Sequence, residues 1–357
     1  MSCDTIQPDP FICARPWREA RPPRSILAIR LQATGDVVIT LPYLQYLRRH
    51  LPSGTRLDLL TRDETAEIPR ELALFDHVYA LGGARNFKKQ LFCSVSILPL
   101  LISRRYQLVL DLQNNPISRM VRQLTTPRAW AVFDKYSPRA AGDRTRLTIE
   151  AAGLGRIRAD TSFFRTKPER GRALLKKGGW DGVSALVILN PAAAFPTRHW
   201  PLENYTAFAQ LWRRRFPRTQ FVALGTSLIR EKTCYLQRTL GFPLIDLVGN
   251  TGPFDAFSVI QHCTLVLSED SGLMHMSWVS GIPTLALFGG TRSDWARPLG
   301  SHTRFLDSSD LACGNCMEET CPLGTVYCLT RYSPERVLSE AMALLEVTRR
   351  SASLNGL

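Results

Sequence analysis

Short apolar runs bounded by polar residues recur along this chain, and stretches with helical spacing separate them. Residues 25–31 (SILAIRL) read as a buried strand feeding a helix over 37–50. The same alternation predicts strands at 56–62, 77–81, 106–113 and 128–133, with helices near 64–72, 117–124 and 144–153. Strands that are apolar on both faces and alternate with helices imply a parallel sheet covered on both sides. Residues 155–182 break the pattern, with mixed charge, weak periodicity and Gly178-Gly179 inside, and read as a connection. Alternation then restarts, with strands at 185–189, 220–224, 244–248, 264–267, 284–288 and 303–307 and helices at 202–216, 229–240 and 253–262. Ser333-Pro334-Glu335 gives the last helix an N-cap serine, a first-position proline and an acidic first turn. The expected fold class is α/β: two Rossmann-like, doubly wound domains with a cleft between them. The domains are placed at 25–175 and 183–332, with a C-terminal helix at 333–350 and a poorly ordered Pro/Arg-rich arm at 1–24.

One segment stands out as a ligand site. Residues 265–290 (LVLSEDSGLMHMSWVSGIPTLALFGG) read strand, sharp turn, short helix, strand. Ligands of open α/β sheets collect beyond the carboxyl ends of the strands. There Asp270, Ser271 and Gly272 offer a hydroxyl and free amide groups at a helix start, which favours an anion such as a diphosphate. An ordinary strand–helix connection with an aspartate cap fits the same residues. In the first half, Thr34-Gly35-Asp36 makes a strand-to-helix turn with a carboxylate at the helix start. Asp36 is either a cap or a general base for a hydroxyl. In the second half, residues 190–201 (NPAAAFPTRHWP) place Arg198 after a strand, suited to bidentate phosphate binding. His199 in that loop reads as a solvated or capping residue. Thr226 and Glu231 follow another strand, where a carboxylate suits ribose hydroxyls or simply opens a helix. No G-x-G-x-x-G fingerprint is present, which leaves a hydride-transferring dinucleotide enzyme without support.

Charge sharpens this picture. The net charge is +14, and residues 1–177 hold 30 Lys and Arg against 16 Asp and Glu, whereas 178–357 hold 15 of each. The excess points to an anionic partner for the first half: nucleic acid, a membrane surface or a phosphorylated substrate. Motifs for nucleic-acid binding are lacking, so that partner is not expected. No apolar stretch is long enough to span a bilayer, and Asp4, Asp9 and several prolines make the start unlike a secretory signal; a cytoplasmic location is expected. Residues 88–101 (KKQLFCSVSILPLL), flanked by Arg85, Arg104 and Arg105, read first as a helix buried against the sheet and second as a helix at a membrane face. Cys313, Cys316, Cys321 and Cys328 lie in one Gly/Pro-containing loop and are either a structural zinc or iron site or reduced thiols.

Together the motifs form a known pattern. IRLQATGDVVITLPYLQYLRRHLP, DLQNNPISRM, NPAAAFPTRHWP and LSEDSGLMHMSWVSGIPTLALFGGT occur in this order, and they resemble the motifs of the bacterial heptosyltransferases, glycosyltransferase family nine. The resemblance covers residues 25 to about 345. It implies the GT-B fold, with an N-terminal acceptor domain and a C-terminal nucleotide-sugar domain. It also implies inverting, metal-independent transfer of a heptose from ADP-heptose to a lipopolysaccharide core, an anionic glycolipid at the cytoplasmic face of the inner membrane. No cofactor is required for such a reaction. By resemblance Asp36 is the catalytic base, with Thr34 and Gly35 shaping its turn. Arg198 stands where the family usually has lysine, Asp270, Ser271, Gly272 and His275 match the donor motif, and Glu231 matches a ribose-binding glutamate. Rival readings are a GT-B enzyme with another nucleotide sugar, an epimerase-like protein, a basic nucleic-acid-binding protein and a catalytically dead scaffold.

Overall fold

A computed structural model describes residues 9–84, 86–162 and 168–354 of the chain. Two compact units, Met1–Asp160 and Thr161–Leu357, divide it. The first contains strands β1 (Ile12–Arg15), β2 (Ser25–Ile29), β3 (Arg56–Arg62), β4 (His77–Leu81), β5 (Leu108–Asp111) and β6 (Ala129–Phe133). Its helices are α1 (Thr34–His50), α2 (Glu67–Glu71), α3 (Phe87–Ser103), α4 (Pro116–Leu124) and α5 (Ala141–Ala151). The sheet order is β1-β6-β5-β2-β3-β4, parallel except for β1, which runs antiparallel to β6. The chain thus leaves β2 in one direction for β3 and β4, then returns to the other side of β2 for β5 and β6. The reversal puts a topological switch point between β2 and β5.

The second unit repeats this plan. Its helices are α6 (Pro168–Lys177), α7 (Leu202–Arg215), α8 (Arg230–Thr239), α9 (Pro253–Ile260), α10 (Gly272–Val279), α11 (Ser293–Ala296), α12 (Tyr327–Thr330) and α13 (Pro334–Leu354). Strands β7 (Leu186–Asn190), β8 (Gln220–Ala223), β9 (Leu244–Asp246), β10 (Leu265–Glu269), β11 (Thr284–Leu287) and β12 (Thr303–Leu306) are all parallel, in the order β12-β11-β10-β7-β8-β9. Its switch point falls between β7 and β10. Strands β2, β7 and β10 are buried at every position, as central parallel strands must be. The two-domain α/β class with Rossmann-like halves is the one the alternation predicts.

Three expectations need correction. The arm at 1–24 is ordered in part: residues 1–8 lie outside the described residues, but Ile12–Arg15 pairs with Trp130–Phe133 as an edge strand. Its partner strand supplies backbone groups that a Pro/Arg-rich reading of the arm does not consider. The connection at 155–182 contains α6, and the domain boundary falls earlier than 175. Helix α6 packs on α9, with Gly171 so close to Ser258 that the Gly171 N–H donates to the Ser258 hydroxyl at 2.8 Å. Helix α3, finally, is not the buried helix of the first reading. Ser94 and Leu101 are buried and Ile97 packs on the core, but Leu91, Phe92, Val95, Leu100 and Ile102 are exposed.

Candidate functional site

At the first switch point, β2 ends in Ile29 and the chain turns through Arg30–Ala33 into α1. Thr34 opens the helix and Asp36 sits one residue before its first turn is complete, not at the cap itself. One carboxylate oxygen of Asp36 accepts from the Ala33 N–H at 3.0 Å, and the other pairs with the Arg30 guanidinium at 2.7 Å. These contacts aim the carboxylate while leaving its side chain 37% exposed. The cap reading and the base reading are therefore compatible, because one group makes the capping contact and still faces solvent. Gly35 is a buried residue of the first helical turn, without the left-handed backbone of a turn glycine. The neighbouring β5 loop braces this edge. Gln113 Oε1 accepts from the Leu31 and Gln32 amides at 2.9 and 3.1 Å, and Arg30 donates to the Leu112 carbonyl.

The second switch point carries a denser polar set. Asn190 ends β7, and its Nδ2 donates to the Ser268 and Ser271 hydroxyls at 2.7 and 2.8 Å, joining β7 to the start of α10. Ser271 is the N-cap of α10, its hydroxyl accepting from the Met274 N–H at 3.3 Å. Gly272 is the first helical residue. Free amides at such a start favour an anion. Arg198 closes a short 3₁₀ turn, Pro196–Arg198, and pairs with Asp270 at 3.5 Å. Its guanidinium lies over the Phe195 ring at 4.8 Å, and Nε is buried without a hydrogen-bond acceptor. Asp270 therefore orients a cation at the rim of this site. The structure brings Arg198, Asp270, Ser271 and Gly272 together.

Other expected residues stand apart. His275 is buried one turn into α10, with Nδ1 accepting from the Trp278 indole at 3.2 Å. Thr226 and Glu231 are exposed beyond β8, on the far side of β7 from Asp270. His199 is no solvated residue. Its Nε2 lies 2.9 Å from the Ala193 carbonyl, and burial holds the imidazole below its ordinary pKa.

The most consequential polar residue here escaped sequence reasoning. Glu269, fully buried at the end of β10, accepts from the Ala193 N–H at 3.0 Å and the Trp200 N–H at 2.8 Å. It thereby clamps both ends of the loop that carries Arg198. Burial pushes its pKa up to about 7, against the pull of Lys232 and of the two amides. Lys232 donates to the Pro191 carbonyl at 2.8 Å, and burial holds its ammonium below the ordinary lysine range despite Glu269. A carboxylate on the last residue of a buried strand was the available signal.

The cysteine loop braces the same turn from outside. The Gly290 N–H donates to the Thr197 carbonyl at 3.0 Å, the Met317 N–H to the Gly290 carbonyl at 2.7 Å, and the Thr197 hydroxyl to the Glu318 carbonyl at 2.5 Å. A Cβ on Gly289 would lie 2.0 Å from the Thr197 carbonyl oxygen, so only glycine lets the turn approach β11 this closely. Cys313, Cys316, Cys321 and Cys328 are free thiols around one cavity of about 40 Å³, which Thr197 and Gly290 also line. Among the described residues, however, no group of three or more His, Cys, Asp or Glu is arranged to hold a metal ion. The thiols gather without converging. Burial and the other three thiols push Cys328 up, whereas backbone N–H groups, that of Val326 foremost, hold Cys321 below the ordinary thiol range.

Comparison with known proteins places this geometry in context. The family model described as Glycosyltransferase family 9 (heptosyltransferase) matches residues 129–327. The lipooligosaccharide heptosyltransferase 2 of Campylobacter jejuni serotype O:6 (strain 81116) is 40% identical over 161 residues. That alignment spans 44% of this chain and 50% of the relative, so the chain matches about half of that protein's length. The lipopolysaccharide heptosyltransferase 1 of Pseudomonas aeruginosa is 24% identical, with 90% of this chain and 98% of the relative covered. Among solved structures, the Escherichia coli ADP-heptose lps heptosyltransferase II superposes with a TM-score of 0.67 at 17% identity, covering 90% of this chain and 98% of that one. At that identity the superposition speaks for the fold alone.

Proposed function

Since the chain belongs to glycosyltransferase family 9, the heptosyltransferase family, we propose that it transfers a heptose from ADP-heptose to a lipopolysaccharide core acceptor, with inversion and without a metal ion. The observation that carries this reading is that the two switch points hold complementary halves of the chemistry. The first presents an oriented, partly exposed carboxylate, Asp36. The second presents Arg198, the Ser271 cap and the α10 amides. In the proposed step Asp36 takes the proton of an acceptor hydroxyl as its oxygen bonds to the anomeric carbon. The bond from that carbon to the diphosphate oxygen breaks, and ADP leaves with the electron pair. A diphosphate needs cations and amides to leave, not a second acid, and Arg198 and the helix start supply both. Arg198 in place of lysine keeps the charge and adds a planar, two-pronged donor.

The named relatives support a heptosyl donor and this acceptor class: one is a lipooligosaccharide heptosyltransferase, another a lipopolysaccharide heptosyltransferase. The proposed location is the cytoplasmic side of the inner membrane, where the basic first half meets an anionic glycolipid. Among the described residues no helix is long and apolar enough to cross a membrane. Asp36→Asn is expected to abolish transfer in a radiolabelled-sugar assay while leaving ADP binding by calorimetry nearly unchanged, and a chelator is expected to leave wild-type transfer intact. Full activity of Asp36→Asn removes it as the base. Tighter binding of UDP or GDP sugars than of ADP sugars overturns the donor assignment.

A further inference from the structure

Helix α3 buries one side and leaves the other apolar and uncovered. Of the thirteen large hydrophobic side chains exposed in the described residues, five lie on this single helix: Leu91 (39%), Phe92 (75%), Val95 (53%), Leu100 (44%) and Ile102 (45%). At 100° per residue, Leu91, Phe92, Val95, Pro99 and Ile102 fall within one stripe about 100° wide. Ser94, Ile97 and Leu101 occupy the opposite side and pack inward. The helix therefore already has its core contact, and the outer stripe serves a different purpose. A contiguous exposed apolar face of this kind marks an interaction surface.

Charge identifies what would cover it. Residues 82–107 contain no Asp or Glu but five Lys and Arg. Lys88 and Lys89 are exposed in the first turn of α3, and Arg105 is exposed just past its end. Apolar residues between cations match a surface that is apolar below and anionic above, the composition of a bilayer with acidic headgroups. A protein partner would be expected to offer acids matched to particular lysines, whereas this stripe spreads its cations at the two ends.

Position ties the face to the catalytic edge. Arg62 donates both to the Ala84 carbonyl, in the loop that leads into α3, and to the Gln32 side chain, in the loop that leads to Asp36. The start of α3 and the candidate base thus share one edge of the first sheet. Resting on the transfer reading above, we propose that the outer face of α3 docks the protein on anionic bilayers and holds the Asp36 edge toward an acceptor anchored in the same leaflet.

The test is sedimentation of the full chain with phosphatidylcholine vesicles lacking or containing phosphatidylglycerol. Wild type is expected to sediment with the anionic vesicles, more weakly as salt rises, and only slightly with neutral ones. Phe92→Gln/Val95→Gln, at exposed positions and with good helix formers, is expected to keep its circular dichroism and lose roughly tenfold or more in vesicle affinity, as follows from withdrawing two apolar side chains from lipid. Vesicle binding unchanged in this double variant overturns the proposal. So does its complete absence in wild type, or self-association in solution that the variant abolishes in place of vesicle binding. ADP binding, measured on the same samples, separates the two readings. Intact ADP binding with no vesicle binding sinks the docking alone, whereas vesicle binding without ADP binding sinks the transfer reading and leaves the docking standing.

Discussion

Glu269 holds the Arg198 loop by its two ends, and its ionisation should therefore be measurable as stability. The carboxyl is fully buried, and burial raises its pKa from 4.5 to about 7. Between those values the unfolded chain has released this proton while the folded chain keeps it. The folded state then binds more protons, so unfolding free energy falls as pH rises through this window. The contribution is complete below pH 4.5 and lost above about 7. At about 1.4 kcal/mol per unit of pKa difference, the loss amounts to about 3 kcal/mol. Glu269→Gln stays neutral throughout and serves as the reference, because titrations other than those of Glu269 and the lysine coupled to it, Lys232, are common to both proteins. Urea unfolding followed by tryptophan fluorescence suits the measurement, since Trp180, Trp200, Trp212, Trp278 and Trp295 all belong to the second unit. Wild type should lose about 3 kcal/mol relative to the variant between pH 5 and pH 8. A constant difference across that range, or one that grows in favour of wild type, refutes the reasoning.

Other substitutions probe the same loop. Gly289→Ala drives a Cβ onto the Thr197 carbonyl, and should cost about 1–3 kcal/mol in urea unfolding and weaken ADP binding more than a change within β11. Arg198→Ala removes the cation beside the α10 start, and a roughly 10- to 100-fold loss in ADP affinity by calorimetry is expected; an unchanged affinity takes Arg198 out of the phosphate site. Among the loop cysteines, iodoacetamide near neutral pH should label Cys321 before Cys328, read by peptide mass spectrometry, because backbone N–H groups favour the Cys321 thiolate and burial disfavours that of Cys328.

How much of this was legible beforehand differs by element. Strands β3 and β4 were readable to the residue from apolar runs bounded by turn residues, and the two-fold repetition of the alternation announced two Rossmann-like units. Local pattern carries that information because a central parallel strand must be apolar on both faces. Edge strand β1 gave no such signal: half of it is exposed, and what holds it is a strand far along the chain, with Ile12 against Phe133 and Arg15 against Trp130. The motif residues were likewise visible in the sequence, Arg198 in the loop after one predicted strand and Asp270 and Ser271 just past the end of another.

What the sequence by itself determined was the alternation, the two doubly wound units and the chemical character of each loop: a carboxylate after β2, a cation after β7, a capping serine after β10. Only the tertiary structure decided which of these meet. Sheet order is set by pairings that no single segment encodes, and it is the order that puts β7 beside β10, so that Asn190 reaches Ser268 and Ser271 and Arg198 reaches Asp270. The same long-range packing gave Glu269 two backbone amides to hold, those of Ala193 and Trp200. On α3 the sequence marked an apolar helix, but which of its faces the sheet would cover depended on neighbours that fold against it from elsewhere in the chain.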